Sequence, residues 1–138
     1  MLETALRADA LAFTPDGYEL RIGLPWIRSM PLSSVGGLAV EVDGVAVPPG
    51  NLRVQLAGRI VAPESLVDEG GWWFIQDRLV LRWGPGARGC RHVVAVGFQL
   101  MVPYLQAGPD LPLVLPFRLE AELDPARAAL PGVSRDVA

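Results

Sequence analysis

The stretch that decides the fold is LPLVLPFRLEAEL, Leu111 to Leu123. Leu111, Leu113, Leu115, Phe117, Leu119 and Leu123 share one parity, and Pro112, Pro116, Arg118, Glu120 and Glu122 share the other. Side chains of an extended chain point alternately to opposite sides, so this pattern specifies a strand with one buried face. Each proline removes a ladder donor, which places the strand at a sheet edge.

Upstream, HVVAVGFQLMV sets Val94, Val96, Phe98, Leu100 and Val102 on one face of a long strand. YELRIGL sets Tyr18, Leu20, Ile22 and Leu24 against Glu19 and Arg21, and the preceding TPDG reads as a type I turn joining it to ALAF. LAVEV turns Leu38, Val40 and Val42 inward, and Asp43-Gly44 reads as a tight hairpin turn. LRVQLAGRIV alternates until Gly58 interrupts it as a turn or bulge, and WWFIQDRLVLRW reads as two strand pieces around Gln76-Asp77. APESLVDEGG is the one short helical turn expected in the middle of the chain. Short strands at even spacing with Gly/Pro turns predict an all-β fold, an antiparallel β-sandwich or jelly-roll-like single domain over residues 1–123. The tail, 124–138, reads as one helical turn capped by Asp124 with Pro125 at its first position, or as disorder.

With 138 residues, 51 % apolar and 20 % charged, the chain is long and apolar enough for a core of its own. A net charge of −3 argues against nucleic acid, whose phosphates call for clustered basic side chains. A single cysteine, Cys90, excludes an internal disulfide. The N-terminus lacks the basic and apolar regions of a signal peptide, and no apolar run is long enough to span a bilayer, so a soluble cytoplasmic protein is expected.

The catalytic inventory is short. One histidine, His92, is too few for a histidine-rich metal site, which excludes a metal-dependent cupin. Cys90 lies between Arg88 and Arg91, which would lower a thiol pKa, but a cysteine and a histidine two residues apart on a strand need not meet at a nucleophile–base angle. The pairs Asp68/Glu69 and Glu120/Glu122 lack the neighbouring aromatic platform of a glycosidase cleft, and GPGARG lacks the lysine of a phosphate loop. We therefore assign no catalytic and no metal-binding residue to this chain.

GLPWIRSMPLSSV, Gly23 to Val35, breaks the alternation. It puts Trp26, Ile27, Arg28, Met30 and Pro31 into one irregular loop stiffened by Pro25 and Pro31. Tryptophan, methionine and arginine are enriched in interface cores, so the loop reads as a partner surface. The other reading folds Trp26 and Met30 back over an open end of the sandwich.

The run GYELRIGLPWIRSMPLSSVGGLAVEVDGVAV resembles the N-terminal half of the β subunits of bacterial C-glycoside deglycosidases, where a strand leads into Arg-x-Pro-aromatic-aromatic-Arg-Gly-x-Pro-Leu-Ser and then a DG hairpin. Pro25, Trp26, Arg28, Pro31, Leu32, Ser33, Asp43 and Gly44 fall on that pattern. LAGRIVAPESL, a tryptophan before the next strand (Trp72 or Trp73) and VPY at Val102 to Tyr104 extend the resemblance over roughly residues 17 to 123. Gly23, Ile27 and Ser29 depart from it, where arginine, a second aromatic and glycine are common; this bears on loop shape and substrate preference more than on fold.

The resemblance implies a non-catalytic β-sandwich subunit of a heteromeric complex. Its partner would be a barrel-fold α subunit carrying a divalent metal, usually manganese, and the catalytic histidine, with higher αβ assemblies open. The complex would be a carbon–carbon lyase that splits a 3-keto sugar from an aromatic, flavonoid-type aglycone. Trp26, Ile27, Arg28, Met30, Pro31 and Tyr104 are the candidates for the partner interface or the shared active-site mouth, with Trp26, Arg28 and Tyr104 first in line for substrate. Two other classes stay open. A free-standing carbohydrate-binding sandwich would use Trp72, Trp73 or Trp83 as stacking platforms, and an enzyme in its own right would use Cys90 and His92.

Overall fold

The computed structural model describes residues 5–56, 58–85, 91–109 and 111–127; the side chains of 103–107 and 112 are outside the described set. Eleven strands are described: β1 Leu11–Thr14, β2 Gly17–Gly23, β3 Met30–Pro31, β4 Val35–Val42, β5 Val45–Ala46, β6 Arg53–Leu56, β7 Arg59–Val61, β8 Trp72–Trp73, β9 Arg78–Trp83, β10 His92–Gly108 and β11 Leu111–Leu123. One sheet runs β1-β2-β9-β6-β7, a second runs β11-β10-β4-β5, and β3 pairs with β8 alone. Every pairing is antiparallel. No helix among the described residues is long and apolar enough to cross a membrane.

The turns follow from their sequences. Thr14 pairs with Gly17 across Pro15-Asp16, and Leu56 pairs with Arg59 across Gly58, whose φ of 79° suits glycine. Asp43 and Gly44 both have positive φ, 52° and 82°, the backbone that matches a two-residue turn to the twist of its strands. Gly17 serves a different purpose. A Cβ there would lie 2.1 Å from the Trp83 carbonyl oxygen, and one on Gly84 would lie 2.1 Å from the Asp16 carbonyl oxygen. The two backbones meet where β2 joins β9.

The core sits between the two larger sheets. Leu20, Ile22, Val54, Leu79 and Leu81 come from the first; Val40, Val94, Val96, Phe98, Leu100, Leu119 and Leu123 come from the second. Strand β11 is an edge strand, as its prolines require. The segment expected to make a short helical turn is a 3-10 helix, Pro63–Asp68, which buries Leu66. Pro125–Arg127 forms another, with Ala126 N–H donating to Asp124 Oδ1 at 2.9 Å.

The loop after β2 differs from expectation in one respect. The prolines do not keep all of it out of regular structure: Met30 pairs with Trp73 and Pro31 with Trp72, and Leu32 N–H donates to the Gly71 carbonyl at 3.0 Å. A segment forty residues away supplies the partner strand.

Candidate partner interface

Two segments meet at the end of the sandwich where β2 finishes and β9 begins. Residues 24–31 arrive from β2, and residues 72–77 lead into β9. The β3–β8 ladder joins them, and Ile75 N–H donates to Ser29 Oγ at 2.8 Å. The chain then turns, with Asp77 N–H donating to the Phe74 carbonyl at 2.9 Å.

Alternation across β8 splits the adjacent tryptophans. Trp73 is fully buried, its indole N–H donates to the Asp77 carbonyl at 3.1 Å, and its ring lies 5.9 Å from Phe98. Trp72 points the other way and is 47 % exposed. Ile27, Phe74 and Ile75 join it outside, at 60, 46 and 50 % exposure. About half of each side chain is open, so with roughly 200 Å² per large side chain the four present about 400 Å² of apolar surface, within the range of functional patches.

A charged pair lies at the start of β9. Arg78 is buried and donates to both Asp9 carboxylate oxygens, at 2.7 and 3.3 Å. The hydrogen bond from Arg78, with its positive charge, holds the Asp9 carboxyl below its ordinary value, against the opposing effect of desolvation. A bidentate guanidinium–carboxylate contact fixes orientation as well as distance, so it locks the start of β9 to the turn before β1.

The loop candidates divide by burial. Ile27 and Arg28 are exposed, Pro31 is half-buried in the β3–β8 ladder, and Trp26 is half-buried with its ring edge-on to Phe117 at 6.5 Å. Met30 is fully buried. It belongs to the core and not to the surface, because its pairing with Trp73 turns its side chain inward. The Tyr104 side chain lies outside the described residues. Phe74 and Ile75 were missed by sequence reasoning, although four successive large apolar residues, WWFI, are more than one buried face can take. Of the three tryptophans considered as sugar platforms, Trp73 and Trp83 are buried and Trp72 is exposed.

At the opposite end of the sandwich His92 makes two contacts. Nδ1 lies 2.7 Å from Asp43 Oδ2, and Nε2 lies 3.0 Å from the Tyr18 hydroxyl. In the neutral tautomer that satisfies both, Nδ1–H donates to the carboxylate and Nε2 accepts from the hydroxyl. Val93 N–H donates to Asp43 Oδ1 at 2.9 Å. The hydrogen bond from His92, then that from Val93, holds the Asp43 carboxyl below its ordinary value. Tyr18 is on β2 and His92 on β10, so this chain of contacts clasps one sheet to the other. It occupies both imidazole nitrogens. Cys90, the other half of the nucleophile reading, lies outside the described residues, and among those described no three or more His, Cys, Asp or Glu side chains gather as a metal site would need.

No family model matches the chain. It is 39 % identical over 92 residues to a C-glycoside deglycosidase beta subunit of Arthrobacter globiformis, covering 62 % of this chain and 68 % of that one. It is 33 % identical over 106 residues to a 3'-dehydrocarminate deglycosidase beta subunit of a Microbacterium species, covering 75 % and 80 %. It is 32 % identical over 90 residues to a C-glycoside deglycosidase beta subunit of Microbacterium trichothecenolyticum, covering 62 % and 67 %. An all-β chain, alike over this much of its length to deglycosidase beta subunits of which two share one name, belongs to the family of C-glycoside deglycosidase beta subunits.

Proposed function

We propose that this chain is the non-catalytic subunit of a two-component C-glycoside deglycosidase. It braces or completes the active-site mouth of a larger, barrel-fold α subunit. The observation that carries the reading is the exposed apolar set of Ile27, Trp72, Phe74 and Ile75 on two segments that the β3–β8 ladder and the Ile75–Ser29 hydrogen bond join. Exposed aromatic and aliphatic anchors of this kind supply most of the energy of protein–protein recognition.

The chemistry fits that division of labour. A ketone at C3 of the sugar acidifies the proton on C2. A base takes this proton, its electron pair forms a C1–C2 double bond, and the C1–aryl bond breaks with its electrons on the aromatic carbon, which takes a proton from the protonated base or another general acid. A divalent metal in the α subunit, manganese in the expected case, would polarise the ketone. The relative from a Microbacterium species is named for a 3'-dehydro compound, the oxidised 3' position that such an elimination needs. Our chain supplies a rigid scaffold and an apolar face, and cleavage of the carbon–carbon bond is assigned to the partner. Both subunits would work in the cytoplasm.

The test is co-expression with a barrel-type α subunit of a C-glycoside deglycosidase. We expect equimolar co-elution and cleavage of a 3-keto C-glycoside only with both chains present. Ile27→Asp should weaken co-elution without unfolding the chain. A lone monomer that ignores the barrel protein and binds free sugar through Trp72 would replace this reading with that of a carbohydrate-binding sandwich.

A further inference from the structure

Two hollows adjoin at the end of the sandwich that holds His92. Both are lined by Tyr18, Asn51, Trp83 and Gly84. The larger, of about 350 Å³, has the size of a small-molecule site. Its walls are mostly apolar, with Val45, Val47, Pro48 and Pro85 beside Trp83. The rings of Trp83 and Tyr18 lie 5.5 Å apart. Both His92 nitrogens are engaged, by Asp43 and Tyr18. Asn51 donates from Nδ2 to the Gly84 carbonyl at 3.1 Å and keeps Oδ1 as an acceptor.

The smaller hollow, of about 200 Å³, is lined by two arginines, Arg53 and Arg82. They are direct partners across the ladder between β6 and β9. Like charges directly opposite each other, with Cβ atoms about 5 Å apart, destabilise a sheet. Such a pair calls for an anion. The carboxylate in the same row is that of Glu19, opposite Arg82 on β2. One of its oxygens pairs with Arg21, and the other lies 3.8 Å from Arg82 Nε. Arg82 Nη1 donates to Gln55 Oε1 at 3.3 Å, and Arg53 Nη1 donates to the Leu52 carbonyl at 2.7 Å. Among the described residues Arg53 has no carboxylate partner, and Asp16, which also lines the hollow, forms no ion pair with either arginine. Three guanidinium groups thus share one paired carboxylate, in a chain whose net charge is −3.

Two guanidinium forks on facing strands suit an oxyanion, and their planar geometry matches a carboxylate. The larger hollow disfavours a negative group. Asp43 lines it, and hydrogen bonds from His92 and Val93 hold that carboxyl below its ordinary value, so it is charged at neutral pH. A ligand with one negative end and one apolar end suits the two hollows together.

We propose that the two hollows form one binding site for a small aromatic carboxylic acid, its carboxylate on Arg53 and Arg82 and its ring against Trp83, Val45 and Val47. The site is separate from Ile27, Trp72, Phe74 and Ile75 and does not depend on the subunit role above.

Benzoate is the probe. Calorimetry on the chain at neutral pH and low salt should give a Kd at or below about 1 mM. Backbone amide resonances of Arg53, Arg82, Val45 and Val47 should shift on titration. Benzamide has the same shape without the charge and should bind at least about tenfold more weakly. Arg53→Gln with Arg82→Gln removes the like-charge pair, so the double variant should keep the wild-type circular dichroism while its benzoate affinity falls about tenfold or more. Arg53→Gln alone, which leaves Arg82 with Glu19, should also weaken benzoate. Ile27→Asp, at the other end of the sandwich, should bind benzoate as wild type does. Binding that does not saturate by about 10 mM, equal affinity for benzoate and benzamide, or a double variant that binds as wild type does would overturn the site. Inorganic phosphate binding as tightly as benzoate would overturn the aromatic acid as its ligand.

Discussion

Trp72 and Trp73 are adjacent in sequence and should behave as residues of two different proteins. Trp73 is fully buried, donates its indole N–H to the Asp77 carbonyl and lies against Phe98. Burying roughly 200 Å² of aromatic surface at about 25 cal/mol per Å² amounts to about 5 kcal/mol. Truncation to alanine keeps part of that through partial collapse of the site, so Trp73→Ala should cost about 3–5 kcal/mol. Against a total stability of about 5–15 kcal/mol this is a large fraction. Trp72 is about half exposed, so about 100 Å² of it is buried and Trp72→Ala should cost about 1–2 kcal/mol, well below the cost of Trp73→Ala. A further cost should appear in binding, as about 2 kcal/mol or a 30-fold loss of affinity for the α subunit. Urea unfolding followed by far-UV circular dichroism measures the first pair of values, and titration of the partner measures the last. A Trp73→Ala midpoint equal to wild type, or a Trp72→Ala loss of stability as large as that of Trp73→Ala, would refute the division of the two side chains between core and surface.

Gly17→Ala should cost about 2–3 kcal/mol, because its Cβ would meet the Trp83 carbonyl, whereas Gly36→Ala, with no atom within 4 Å, should stay within about 0.5 kcal/mol by urea unfolding. Asp9→Asn should cost about 1–2 kcal/mol at neutral pH, since a hydrogen bond to the buried Arg78 weakens and Asp9 itself is partly solvated. The folded Asp9 carboxyl lies below its ordinary value of 3.8, so its contribution is present above that value and disappears as pH falls through the lower, folded one. Wild type and Asp9→Asn should therefore converge in acid, and a difference that grows as pH falls would contradict the pairing. His92→Gln in the reconstituted complex should leave turnover unchanged, because the imidazole serves as a clasp between sheets; more than about a tenfold loss would make it a base.

Elements set by local pattern were legible in the sequence. Alternation and turn chemistry carry the β1–β2, β4–β5 and β6–β7 hairpins and the edge position of β11, because each depends on residues within a few positions. The burial of Met30 was not legible in the same way. Its parity is undefined in a segment broken by Pro25 and Pro31, and only pairing with Trp73 fixes it. Phe74 and Ile75 lie where β8 has ended and period two no longer tells inside from outside. Tyr18, Asp43 and His92 come together because two sheets stack, a contact that no repeat along the chain encodes. The loop after β2 itself stood out by composition, and its depth did not.

The short ladder between β3 and β8 has an evolutionary consequence. It fixes the course of the loop after β2 through main-chain bonds and through Ser29 Oγ, while Ile27, Trp72, Phe74 and Ile75, about half exposed, contribute less to holding the chain together than the buried Met30 and Trp73. Mutations at these four positions therefore carry a smaller folding penalty than mutations in the core beneath them. Such a surface can drift with the partner it meets, exchanging one anchor at a time, without passing through an unfolded ancestor. Divergence among related subunits should accumulate first at the four outward positions and last at Met30 and Trp73 beneath them.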